Sequence, residues 1–205
     1  MADDPQPPAG YLYHGRLFDD LERAVPKPQW VMFIWANLLA LLPLSAGIVL
    51  LWVPYQVYLL SGTPWSLLPD PHWSTAVSLL VGAVILITSM VVHELLHGLA
   101  LQLLGHKPRL LIQRGYLTAS IGKGQFLNRQ HYLIMSLTPP LTMTSLGGVS
   151  LVILPPTIGR LLLIALLLNT AASIGDLMVA VRVYRQPPST LFADDRGIRV
   201  FRQRP

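Results

Sequence analysis

Apolar runs of roughly 18 or more residues recur along the chain, the length an α-helix needs to cross the hydrocarbon of a bilayer. They cover about 30–60, 74–104, 132–154 and 158–184. In hydrocarbon no water satisfies the backbone, so such runs are viable only as helices. Charge is correspondingly thin: 12% of the 205 residues are Asp, Glu, Lys or Arg, against about a quarter in ordinary soluble domains. The sequence thus predicts an all-α polytopic membrane protein with about four transmembrane helices. Pro43 and Pro54 fall in the first span, and the pair Pro139–Pro140 interrupts the third.

The rest of the chain arranges itself around this membrane domain of 30–184. Residues 1–29 form a polar segment in which Leu17, Phe18, Leu21, Ala24 and Val25 predict a short interfacial helix. Residues 185–205 form a basic tail. In the loop 105–131, RLLIQ and YLTASIG flank Arg114-Gly115 and predict a short membrane-associated β-hairpin. All 15 lysines and arginines except Arg160 precede the first span, separate the second from the third, or sit at the end of the fourth or beyond it. By the excess of Lys and Arg in cytoplasmic segments, both termini are cytoplasmic. The net charge of +5 is then a signal of topology and implies no nucleic-acid partner. With no cysteine in the chain, disulfides, thiolate metal ligands and cysteine nucleophiles are excluded.

The second span contains VVHELLHGLA, from Val91 to Ala100, and with it one of only two glutamates in the chain. Ionisable groups are costly in hydrocarbon and usually functional where they occur there. His93 and His97, four residues apart, stack on one helical face, so both imidazoles can reach one ion. Glu94 stands beside the first ligand, where it can take a proton from a water on the metal. A catalytic zinc requires a third protein ligand. The candidates beyond His97 are His106, His131, Asp176, Asp194 and Asp195. His106 lies too far along the same helix end, His131 opens the third span at the interface, and Asp194 and Asp195 lie in the arginine-rich tail. Asp176 alone lies within a span. His93 comes about 19 residues after Ser74 and Asp176 about 18 after Ile158, so at roughly 1.5 Å per residue they reach nearly the same depth. Asn169, Ser173 and Asp176 would share one stripe of that helix. An ordinary buried ion pair would need an arginine in mid-span, and there is none.

HELLH on the second span with an intramembrane aspartate in a later one resembles the site-2 protease type of intramembrane zinc metalloprotease. HELLHG followed by N-x5-GD is closer still to a bacterial family of small four-span zincin peptidases, over roughly residues 75–180. The resemblance implies Zn2+ held by His93, His97 and Asp176, with Glu94 as general acid and base. It implies that Asn169 holds the substrate backbone or an oxyanion. The substrate would be a membrane protein or peptide cut within or beside the lipid bilayer, in the bacterial inner (plasma) membrane. The site-2 pattern has proline between the asparagine and aspartate and glycine after the aspartate; here Gly175 precedes Asp176 and Leu177 follows it. The alternative is a catalytically inactive relative that binds metal and serves as a membrane scaffold or chaperone. A metal transporter would spread polar residues through several spans, whereas here they gather on the second and fourth. The free edge of the hairpin could receive an extended substrate as an added strand.

Overall fold

The computed structural model describes residues 7–19, 29–60, 72–113, 116–122, 124–194 and 197–204. Two long helices carry the most apolar sequence: α1 (Gln29–Leu59) and α2 (Thr75–Leu103). Both have a stretch long and apolar enough to cross a membrane. Of the most apolar window of α2 only 6% is buried within the chain, and of that of α1 17%. Leu42, Val49, Val53, Leu79, Leu80 and Ile87 are all more than half exposed. So large an apolar surface needs a non-aqueous solvent, and these helices associate with a membrane.

The other expected spans come out differently. α3 (Arg129–Ile153) is one continuous helix, and Pro139–Pro140 do not interrupt it. Missing N–H groups at 139 and 140 leave the carbonyls of Met135 and Ser136 without their helical partners, and the His97 imidazole, bonded to Met135 O, makes up part of that loss. Its serines, threonines, glycines and prolines dilute its hydropathy, and it does not reach membrane-crossing apolarity. The fourth run is two helices, α4 (Pro156–Ala172) and α5 (Ile174–Tyr184), bent by 41° at Ser173. There the Ser173 hydroxyl and N–H both donate to Asn169 O, at 2.7 and 2.9 Å. A serine that bonds back to the preceding turn bends a helix. Among the described residues two helices therefore qualify as spans, and a third if α4 and α5 count as one.

Six strands complete the described residues. β2 (Pro108–Gln113) and β3 (Tyr116–Ile121) form the expected antiparallel hairpin, with Leu110 opposite Ala119. β1 (Tyr11–Arg16), β4 (Leu127–Asn128), β5 (Leu191–Asp194) and β6 (Ile198–Gln203) form an antiparallel sheet in the order β1-β6-β5-β4. The all-α expectation is corrected here: the chain is mostly helical with two small sheets. Leu17 and Phe18, read as part of an interfacial helix, lie in a turn, with Leu17 in the core. The remainder of that expected helix falls outside the described residues.

The chain divides into two compact units. One contains Trp35–His93 and Pro139–Ile174. Its core is Leu51, Leu151 and Leu166, and small residues let its helices come close. A Cβ on Gly47 would meet Thr170 Cγ2 and Oγ1 at 2.6 Å. The other unit contains Met1–Ile34, Glu94–Thr138 and Gly175–Pro205. Leu17, Leu101, Leu127, Tyr132, Val183, Phe192 and Val200 are among its core residues. Arg182 bonds Leu17 O at 3.0 Å and covers the Phe18 ring.

Candidate metal centre and catalytic cleft

Helix α2 is fixed at both ends. Ser74 Oγ accepts the N–H of Val77 at 3.3 Å, a serine N-cap. Gly105, at φ 81°, ends it: His106 N–H reaches Leu101 O and Gly105 N–H reaches Gln102 O. Only glycine takes that left-handed cap without strain. Between these ends one turn presents His93, Glu94 and His97, whose ligand atoms all lie within 4.8 Å of one another. His93 and His97 are 8% and 6% exposed.

Each imidazole is held through Nδ1. His93 Nδ1–H donates to Asn169 Oδ1 at 2.8 Å, and His97 Nδ1–H donates to Met135 O at 2.9 Å. An imidazole nitrogen facing a carbonyl oxygen must carry the proton, which leaves the lone pair on Nε2. The Met135 carbonyl is available because Pro139, four residues on, has no N–H to give it. The proline pair thus supplies the acceptor that orients a histidine on another helix. Asp176, in the first turn of α5, brings Oδ1 to 3.3 Å from His97 Nε2. It stands outside the set of three on α2.

These donors fit zinc. Ligand atoms about 2.0–2.1 Å from a tetrahedral ion stand about 3.3 Å apart, the separation of His97 Nε2 and Asp176 Oδ1. Histidine ligands of metals typically spend the other ring nitrogen on an oxygen acceptor, as both do here. Glu94 has a different tether: its Oε2 accepts the N–H of Ala119 in β3, at 2.8 Å. Among the described residues the sheet of β2 and β3 has two strands, so the outer edge of β3 is the edge facing Glu94.

A cleft of about 370 Å³ opens beside Glu94, His97 and Asp176. Thr118, Ala119 and Ser120 of β3 line it, with Tyr132, Met135 and Ser136 of α3, Val179 of α5, and Asp194, Gly197 and Ile198. Of the sequence candidates, His106 and His131 go elsewhere and bond each other, Nε2 to Nδ1, at 2.9 Å. Burial first, then the neighbouring His131, pushes the His106 pKa down. Asp194 lies in the cleft wall. Sequence reading missed Met135 O and the Ala119 N–H, since a backbone group leaves no signature in residue types. It also missed Tyr132, which bonds Asp194 Oδ2 at 3.1 Å.

A helix bearing HExxH at the wall of a cleft, with both histidines fixed through Nδ1, is the donor pattern of zincin-type metallopeptidases. The chain belongs to the putative zincin peptidase family, whose model matches residues 86–191, just over half of its length. That stretch holds His93, Glu94, His97, Asn169 and Asp176. No curated protein and no solved structure matches the chain.

Proposed function

We propose that the protein is an intramembrane zinc metallopeptidase of the site-2 type, with His93, His97 and Asp176 as metal ligands and Glu94 as proton carrier. One observation carries this reading: both imidazoles commit Nδ1–H to an oxygen, and Asp176 lies one tetrahedral edge from His97. A zinc ion bound by such donors acts as a Lewis acid and lowers the pKa of a coordinated water to about 7. Two imidazoles and a carboxylate favour zinc among available divalent ions. Glu94 takes the proton of the attacking water and returns it to the leaving amine. The Ala119 amide holds the Glu94 carboxylate through one oxygen and leaves the other for this transfer. Asn169 Nδ2, buried without a partner among the described residues, is a donor in reserve for the substrate carbonyl or an oxyanion.

The substrate is a membrane protein or peptide, bound extended along the outer edge of β3 and cut within or beside the bilayer. The distribution of lysine and arginine supports cytoplasmic termini, and in this reading the protein sits in the inner membrane of a bacterium with water entering from the cytoplasmic side. Metal analysis and cleavage assays on protein purified in detergent test this. Wild type should hold about one zinc per chain; Glu94→Gln should keep it and lose cleavage, while His93→Ala and Asp176→Ala should lose it. Full cleavage by zinc-loaded Glu94→Gln would refute the mechanism. Folded wild type without zinc would make the His97–Asp176 contact an ion pair. Zinc without any cleavage, with partner binding intact in Glu94→Gln, would favour a scaffold or chaperone.

A further inference from the structure

One position on the outer edge of β3 differs from the rest. In an antiparallel strand the N–H and C=O of a residue point to the same side, and that side alternates along the chain. Ala119 N–H leaves the hairpin to reach Glu94 Oε2 at 2.8 Å, so Ala119 faces outward. Gly122 N–H bonds Lys107 O at 3.0 Å on the inner side, which fixes the same alternation three residues on. Leu117 therefore also turns its N–H and C=O outward, while Thr118 and Ser120 direct theirs to β2. Ile121 shares the outward phase, but at 2% exposure it is packed into the core and closes that end of the edge.

Among the described residues no backbone group bonds the outward N–H and C=O of Leu117 or the C=O of Ala119. A strand laid along this edge thus finds a donor and an acceptor at Leu117 and an acceptor at Ala119. The fourth group, the Ala119 N–H, is taken by the carboxylate. Glu94 Oε2 occupies the place that a substrate carbonyl oxygen would have in a regular ladder. One substrate carbonyl is therefore left without a donor from β3, and it is the one next to Glu94. Ala119 lines the same cleft as Glu94, His97 and Asp176, so the interruption falls beside the residues that would hold the metal.

We infer that this gap sets the register of the substrate: the residue whose carbonyl falls at the Ala119 N–H is the one whose peptide bond is cut. This rests on the peptidase reading and deepens it. In either strand direction, the N–H of that residue and the N–H two residues further on bond the outward carbonyls of Ala119 and Leu117. The N–H groups of the residues between and beyond point away from β3. The test uses the full-length, zinc-loaded protein in detergent and a short N-acetylated peptide that wild type cuts at one bond, selected from a mixed set. Four versions of it each carry one backbone N-methyl group, which removes a single donor. Rates are read by mass spectrometry, with zinc content measured alongside. Methylation at the cut residue, or two residues after it, should slow cleavage by about three- to tenfold, the worth of one hydrogen bond. Methylation one residue before the cut residue, or three after it, should leave the rate close to that of the parent peptide. Leu117→Pro removes an outward N–H without touching the pairing with β2, and should slow the parent peptide by a similar factor with zinc content unchanged. Equal sensitivity at all four positions, or the opposite alternation, overturns the register and leaves the peptidase standing. Full activity of a folded, zinc-bound Leu117→Pro protein does the same. The peptide series needs no variant, so it decides even where Leu117→Pro does not fold. Absence of zinc-dependent cleavage by wild type overturns both.

Discussion

Replacing Asn169 with alanine separates two roles that one side chain can play. In the structure its Oδ1 accepts the proton of His93 Nδ1 at 2.8 Å, with the two residues 2% and 8% exposed. Truncation leaves a buried N–H without an acceptor, which costs about 1–3 kcal/mol. The ring can escape by moving the proton to Nε2, the atom that would hold the metal, so the cost falls on metal binding. Loss of such an orienting partner usually weakens a site about 10–100-fold, or about 1.4–2.8 kcal/mol at 1.4 per tenfold. The two estimates agree. Zinc affinity of Asn169→Ala, measured by competition with a chromophoric chelator in detergent at pH 7.5, should therefore fall by that factor. Asn169→Asp, which keeps an oxygen toward His93, should recover most of it, and a thermal melt would show that both variants are folded. Unchanged zinc affinity in a folded Asn169→Ala protein would refute the positioning argument. If cleavage were nevertheless lost, Asn169 would act on substrate through Nδ2 alone.

Proline at Ala119 removes the N–H that holds Glu94; cleavage should drop at least tenfold with zinc content unchanged, and unaltered cleavage would dismiss the tether and the strand-addition edge together. Gly47→Ala drives a methyl into Thr170 and should cost about 1–3 kcal/mol of stability, seen as a lower melting midpoint, part of which Thr170→Ala restores. His106 binds protons less readily in the folded state, chiefly through burial. Its contribution is whole above about pH 6.5, its ordinary value, and is lost as pH falls through the lower folded value. Melting midpoints of wild type should therefore drop between pH 7 and 5 more steeply than those of His106→Gln; parallel slopes would exclude the His106–His131 pair as the cause. Stripping the metal with a chelator should lower the wild-type midpoint and leave that of His93→Ala unmoved, because a ligand that binds only the folded state stabilises it.

The metal-binding motif was legible because its chemistry is local: i and i+4 share a helical face whatever the rest of the chain does. The hairpin was legible too, with a short apolar run before Arg114-Gly115 and alternating apolar residues after it. Comparing depth along two spans singled out Asp176, and the structure brings that carboxylate to His97. The comparison assumed an unbroken helix, however, and hydropathy cannot register a bend made by one serine hydroxyl at Ser173. Pro139–Pro140 read as an interruption because the missing N–H groups are visible in sequence, while the donor that replaces one of them is a histidine 42 positions earlier. Tyr11–Arg16 and Ile198–Gln203 have strand-like composition, yet each looks like a tail until its partner is known. Asp194 was set aside for the same reason.

The pairing of β1 with β6 has a consequence for biosynthesis. Tyr11 lies opposite Gln203, and Arg204 N–H reaches Gly10 O at 2.8 Å. β1 is translated before any of the helices and β6 after all of them, so the first strand must wait, unpaired, through the synthesis and insertion of everything between. Contacts this distant in sequence form late, after the entropy of closing the loop has been met. Ile198, which opens β6, and Asp194, which pairs with it across the sheet, are both part of the cleft wall. A nascent chain therefore carries the HExxH turn well before Asp194 and Ile198 can complete the wall of the cleft.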